Sequence, residues 1–393
     1  MSTAGTATRP RIFEPVIDTH DTWGVINPVQ GCVARCRYCY LIPIGQTGVK
    51  PEVLADPEET VRRLLAHPHY RPQTVYALYT CTDALATPLN RTHLIGLLRA
   101  LVGAGVRNPV CIITKFKVPN EVIEVIGQVR AAGLPVIVYL SYSGLGQDIE
   151  RGVQHRDLRD NFPRLHGAQI PVVHYWRPAL PSNSTPEVAE RIVDWASRYA
   201  ECSVAVGLKV GPNATQQAVE LWPALAAPHL DLHAAESIWP DTMRHFLDNL
   251  PDRYARYPIY ETNSCALAYV LGRSDRANIY GGQTCTEVNR CPVGQRGRCT
   301  TGIATRKPVT ERRVLSELIR IGRSDTPHTF DPHDRTLTLH GPAAMREQHY
   351  LAQALGITVR ADRDPTDGMW SGKAAGGRPL IITTRQEAPA CDR

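Results

Sequence analysis

The chain has 393 residues, 43% of them hydrophobic and 21% charged, with a net charge of +6. That is the composition of a globular protein, not of a disordered or fibrous one. No apolar run approaches the roughly 18–20 residues of a membrane span, and the opening MSTAGTATRPRIFEP has no apolar signal-peptide core, so a cytoplasmic location and no membrane partner are expected.

In chain order, TWGVINPV reads as a strand that runs into the loop GCVARCRYCYL (31–41). PEETVRRLLAH (57–67) is helical, with acidic residues in its first turn where they suit the helix dipole. Strands are expected at 74–80, 109–115, 135–143, 170–176 and 202–210, and helices at 90–105, 119–133, near 157–167 and at 185–200. The 119–133 segment has Pro at its start and Gly at its end, the usual asymmetry of helix termini. Six βα-type units with near-continuous apolar strands predict an α/β fold with a parallel sheet covered by helices. Six such units can make an open, partial (β/α)6 barrel. Full (β/α)8 barrels place their chemistry on the loops after the C-terminal strand ends, and by analogy the cysteine loop lies on the active face.

After about residue 235 the rhythm stops. The expected organisation is a barrel over 1–235, a cysteine-containing region over 236–330 and a small α+β segment over 331–393, in which 335–362 reads strand–helix–strand. The tail from about 385 is polar. The densest basic run, RKPVTERRVLSELIRIGR (306–323), reads as a solvated helix face. The mild basic excess admits nucleic acid as a partner without requiring it.

Eleven cysteines without a secretory signal argue against a disulfide scaffold, and clustered reduced thiols bind metal or do chemistry. Cys111 and Cys202 begin apolar strands and read as small core residues, and Cys391 lies in the polar tail. Cys32, Cys36 and Cys39 form one group. Structural zinc is closed by four ligands and an ordinary iron–sulfur cluster takes four cysteines, so three thiols leave one metal position open for a substrate or cofactor.

Cys32-x-x-x-Cys36-x-x-Cys39 after a first strand, with Tyr38 before the last cysteine, resembles the signature of the radical S-adenosylmethionine (SAM) superfamily. The resemblance implies a [4Fe–4S] cluster held by these three thiolates, its fourth iron chelated by SAM, and a 5′-deoxyadenosyl radical that abstracts hydrogen from a substrate. An electron donor such as flavodoxin or ferredoxin is implied as a partner. NPVQGCVARCRYCYL, YTCTDALATP, IITKFK, YLSYSGLGQDIERG and HYWRPALPSNS further resemble the spore photoproduct lyase-like branch over about residues 20–215. By position this implies Tyr38 near the SAM adenine, Thr82 and Asp83 at its amino group, Ser141 and Ser143 at ribose or carboxylate, and Arg177 at the carboxylate as a fork donor. For each, a loop-capping polar role is the alternative. Cys81 is the candidate catalytic hydrogen donor. It lies two residues before Asp83, where the lyase pattern has three, and a one-residue shift on a strand turns a side chain to the other face; a buried core thiol is the alternative.

The second group, Cys265, Cys285, Cys291 and Cys299, is separated by nineteen, five and seven residues. An auxiliary [4Fe–4S] cluster is the expected reading, with structural zinc or unligated thiols as alternatives. The expected function is hydrogen abstraction from a polar small molecule such as an amino sugar, aminocyclitol or nucleoside, leading to dehydration, epimerisation or dehydrogenation in biosynthesis. Asp148, Glu150 and Glu261 could hold its ammonium group or be solvated loop carboxylates. The alternatives are a DNA lesion lyase of the spore photoproduct lyase type and a non-catalytic iron–sulfur or zinc protein.

Overall fold

The computed structural model describes residues 16–210, 214–232, 235, 237–250, 254–275, 291–363 and 380–384. The chain opens with β1 (Ile17–Thr19) and β2 (Gly24–Ile26), followed by the two-residue strands β3 (Val29–Gln30), β4 (Arg35–Cys36) and β5 (Glu52–Val53). Then come α1 (Pro57–Ala66), β6 (Tyr76–Leu78), α2 (Pro88–Gly103), β7 (Val110–Thr114), α3 (Asn120–Ala131), β8 (Val136–Leu140), β9 (Glu150–Arg151), α4 (His155–Gly167), β10 (Val172–Ala179), α5 (Pro186–Ala196) and β11 (Cys202–Gly207). The remainder forms α6 (Thr215–Leu221), β12 (Ile238–Pro240), α7 (Asp241–Asp248), β13 (Ile259–Tyr260), α8 (Asn263–Val270), α9 (Val293–Ala304), α10 (Glu311–Arg320), β14 (His328–Asp331), β15 (Thr336–Ala343), α11 (Met345–Leu355), β16 (Thr358–Arg363) and β17 (Leu380–Ile382).

The helices start where local chemistry tells them to. Asp56, Thr87 and Thr185 each precede a proline and accept a backbone N–H of the first turn, from Glu59, Asn90 and Val188. An oxygen at the cap position satisfies an orphan donor, and proline at the first helical position loses no hydrogen bond. The capping Thr87 starts α2 two residues earlier than the periodicity of 90–105 predicts. Its buried Leu94, Leu97, Leu98 and Leu101 recur at helical spacing, each worth about 1.5–3 kcal/mol on burial.

The central sheet has eight strands in the order β1-β2-β6-β7-β8-β10-β11-β13. β1 is antiparallel to β2, and every other neighbouring pair is parallel. Seven strands therefore present their C-terminal ends along one edge. Residues of alternate parity face opposite ways. Ile26, Leu78, Ile112 and Val138 pack with the helices α1 to α5. Val25, Ala77, Cys111, Tyr139, Val173 and Val204 form a separate core capped by Ala266 and Leu267 of α8. β13 joins the same sheet, so residues beyond 235 contribute to it.

α10, β14, β15, α11 and β16 build a second core around Val314, Leu318, Leu337, Leu351 and Ile357. This unit docks on the segment before β6. Arg71 pairs with Glu317 at 2.7 Å, Tyr350 donates to the other oxygen of Glu317 at 2.6 Å, and Arg320 donates to the carbonyls of Pro68 and Tyr70 at 2.7 and 2.9 Å. The basic run is therefore only partly a solvated face: Val314 and Leu318 are buried, and the exposed Arg320 is engaged by the Pro68 and Tyr70 carbonyls. Among the described residues no helix is long and apolar enough to cross a membrane.

Candidate active site

The cysteine loop leaves the C-terminal end of β2. Asn27, fully buried, ties that end to the end of β6: its side chain bonds the Thr80 hydroxyl at 3.0 Å and accepts the Cys81 amide at 3.3 Å. Gly31 then turns with φ +91, and a Cβ there would stand 3.0 Å from the Lys50 carbonyl. The amide of Cys32 donates to the Gln46 carbonyl at 2.9 Å, and that of Val49 returns to Cys32 at 2.9 Å. β4 pairs Cys36 with Glu150 of β9, and Arg37 donates to Ile149 at 2.9 Å. The loop is thus pinned on both sides, with Cys36 buried and Cys32 and Cys39 partly exposed.

Burial pushes all three thiols up: Cys32 and Cys39 rise, and Cys36 reaches about 12 although Lys115 draws it down. Cys36 and Cys39 both raise Cys32, which places the three in each other's fields. Among the described residues no three His, Cys, Asp or Glu side chains are gathered to hold a metal ion. In a four-iron cluster each thiolate takes a separate iron, so its thiols stand farther apart than the ligands of one ion. Three soft thiols on one closed loop, facing the cations of Lys115 and Arg177, are a fitting donor set for such a cluster. Neutral thiols must release their protons on binding it.

The polar residues expected around the loop follow the C-terminal strand ends. Tyr38 donates to Glu150 and lies under the Lys115 ammonium, 5.6 Å from the ring centre. Thr82 donates to the Gly31 carbonyl at 2.5 Å, fastening the segment after β6 to the loop. Asp83 is buried and accepts from the Thr114 hydroxyl (2.8 Å) and the amides of Lys115 (2.7 Å) and Leu85 (2.9 Å). Burial raises its pKa against these donors. Ser141 and Ser143 are buried after β8; Ser143 accepts from the Leu145 amide at 3.2 Å. Arg177 sits between the rings of Tyr40 and Tyr175 and donates to the Tyr175 hydroxyl at 3.0 Å. Asn263 donates to the same hydroxyl at 3.2 Å.

Cys81 is fully buried, and burial raises its thiol far above the ordinary range. Its neighbours include Asp18 and Cys39, so it stands beside the loop. Of the three acidic candidates, Asp148 is exposed and Glu261 pairs with Arg244 at 2.7 Å. Glu150 is not a solvated loop carboxylate: it is fully buried and accepts from Tyr38 and from Lys115 at 2.8 Å. Sequence reading missed Lys115 as a site residue. The signal available was a lysine directly after an apolar strand, in IITKFK.

The described members of the second cysteine group, Cys265, Cys291 and Cys299, lie on and beside α8 and α9. Cys265 of α8 stands 3.5 Å from an Asp275 oxygen, the Asp275 amide points at Cys299 of α9 at 3.5 Å, and Cys291 is 3.6 Å from the Tyr260 hydroxyl. Ser264 and Asp275 line a pocket with Thr22, Thr74 and Val75, which precede β2 and β6. Cys285 and Cys391 lie outside the described residues.

No family model matches the chain, and no curated protein matches it. Among solved structures it is similar to spore photoproduct lyase complexed with dinucleoside spore photoproduct, at 12% identity and TM-score 0.41, over 58% of this chain and 66% of that one. A mutant of that lyase with bound AdoMet and dinucleoside spore photoproduct gives 12% identity and TM-score 0.47, over 64% and 81%. SuiB from Streptococcus suis bound to S-adenosylmethionine gives 11% and 0.36, over 48% and 41%. The radical S-adenosylmethionine methyltransferase TsrM from Kitasatospora setae gives 13% and 0.36, over 47% and 36%. The chain thus spans just under two thirds of the first of these structures. These are likenesses of fold, and the functional reading rests on this chain's own residues.

Proposed function

We propose that this chain is a radical SAM enzyme whose six βα units form a partial barrel around a [4Fe–4S] cluster held by Cys32, Cys36 and Cys39. The observation that carries the reading is a closed three-thiol loop at the C-terminal end of a strand in a parallel sheet, with polar residues from the next strand ends around it. When bound, the cluster and SAM supply one-electron cleavage and hydrogen-atom abstraction; the chain supplies position and shelter. Tyr38 and Arg177 offer aromatic surface and a guanidinium fork, and Thr82, Ser141 and Ser143 offer hydroxyls. Asp83 spends its oxygens on Thr114, Lys115 and Leu85, which suits it to shaping the site as much as to holding an amino group. Cys81, enclosed beside the loop, is a candidate for the hydrogen donor.

The substrate we infer is a polar small molecule of the amino sugar, aminocyclitol or nucleoside kind. Cys265, Cys291 and Cys299, outside the cysteine loop and beside Asp275 and Tyr260, suit a structural or electron-transferring auxiliary group better than a substrate-binding one. A DNA lesion lyase is the weaker reading: Arg313, Arg320 and Arg323 of the basic run are spent on Ala354, on Pro68 and Tyr70, and on Glu347, which removes them from a phosphate-binding face. The test is anaerobic reconstitution followed by reduction with dithionite in the presence of SAM. The proposal expects 5′-deoxyadenosine and methionine, abolished by Cys36→Ala. Intact SAM after many hours with a reduced cluster contradicts it.

A further inference from the structure

Glu150 is the one fully buried carboxylate with a charged partner that touches the cysteine loop among the described residues, and the reading above gives it no role. It sits in β9, whose backbone pairs with Cys36 in β4. One oxygen accepts both the Tyr38 hydroxyl and the Lys115 ammonium, the latter at 2.8 Å. Lys115 also donates to the Ser141 carbonyl at 2.8 Å, so this one carboxylate joins the end of β7, the end of β8 and the cysteine loop. The other oxygen faces His155 Nε2 at 3.4 Å, at the start of α4. A buried carboxylate is costly to place, and one that keeps a cation partner fixes where that cation stands. Here the geometry is that of Lys115, a flexible ammonium that a carboxylate and a carbonyl hold over the Tyr38 ring and within the fields of Cys36 and Cys39. Two of its N–H groups are used by Glu150 and the Ser141 carbonyl, which fixes the ammonium beside the cysteine loop.

We propose that Glu150 is the positioning residue of the cofactor site, acting through Lys115 and Tyr38 to fix a cation and an aromatic face where SAM binds. The inference rests on the radical SAM reading. A purely structural ion pair would move stability and cluster content together; a positioning residue separates cluster content from SAM affinity.

The test uses reconstituted full-length protein and reads three quantities: iron per chain, SAM affinity by equilibrium dialysis, and the change that SAM causes in the electron paramagnetic resonance spectrum of the reduced cluster. Glu150→Gln keeps the shape and removes the charge. It is expected to hold iron as wild type does and to bind SAM at least tenfold more weakly, with the spectral change shifted to correspondingly higher SAM. Glu150→Asp, which keeps the charge but withdraws it by one methylene, should fall between. If Glu150 acts through Lys115, Glu150→Gln should cost little more in the Lys115→Met background, as coupled residues do in a double-mutant cycle. Unchanged affinity in Glu150→Gln overturns the proposal, and so does loss of iron in proportion to loss of affinity. A wild-type protein that holds no cluster, or whose cluster spectrum ignores SAM, overturns the radical SAM reading and this inference with it.

Discussion

Acidification should unfasten the site through one buried histidine. His174 in β10 has no exposed surface; its Nε2 donates to the Tyr142 carbonyl at 2.8 Å, and its Nδ1 accepts from the Ser203 hydroxyl at 2.8 Å. Tyr142 lies between Ser141 and Ser143, so His174 pins the segment expected to meet the cofactor. Burial drives its pKa from 6.5 to about 4, with Lys115 adding to the effect and the bond to Tyr142 opposing it. The folded state therefore binds fewer protons than the unfolded chain between those values. The stability His174 contributes is fully present above pH 6.5 and is lost as pH falls toward about 4. At about 1.36 kcal/mol per pH unit, the loss is about 3 kcal/mol across that window. The assay is urea unfolding of wild type and His174→Gln at steps from pH 7 to pH 4. Gln keeps a donor near Tyr142 and cannot take up a proton. The variant should begin less stable at pH 7, by about 1–2 kcal/mol for imperfect bonding, and its pH slope should be shallower, so that the two curves cross between about pH 5 and pH 6 and the variant is the more stable by about 1–2 kcal/mol at pH 4. Parallel curves, within about 0.5 kcal/mol over the whole range, would rule out His174 as the group that titrates.

Gly31→Ala should destabilise the cysteine loop by about 1–3 kcal/mol, because its backbone is left-handed and the new Cβ meets the Lys50 carbonyl at 3.0 Å; iron uptake on reconstitution should fall with it, and undiminished iron content and stability would contradict this. Glu317→Ala leaves Arg71 and Tyr350 without their acceptor. The pair is partly solvated, so the cost should be about 2 kcal/mol rather than the larger figure of a fully buried pair. Limited proteolysis should then release the unit built from α10 to β16, and an unchanged digestion pattern would count against that docking.

The sheet was legible because its strands are apolar and its helices carry caps and periodic leucines. Helices α1 and α3 and the strand–helix–strand of β15, α11 and β16 fall within about two residues of expectation. β1 was missed because three residues of mixed polarity, IDT, carry no strand signal alone and pair only because Gly24–Ile26 lies alongside. β13 was missed for the same reason: two residues gain their identity from β11. At the site, the cysteines were legible because their spacing is local. Glu150 and Lys115 were not assigned as partners, since thirty-five positions of chain separate them and only the parallel strand ends bring them together.

Whether Cys32, Cys36 and Cys39 carry a four-iron cluster is read from iron and sulfide per chain in anaerobically reconstituted wild type and in the Cys32/Cys36/Cys39→Ala triple variant. The variant should hold about four fewer irons and about four fewer sulfides than wild type, falling to near zero if the loop carries the single cluster and to about four if the second cysteine group carries another. A variant that keeps the full wild-type iron and sulfide would contradict that assignment.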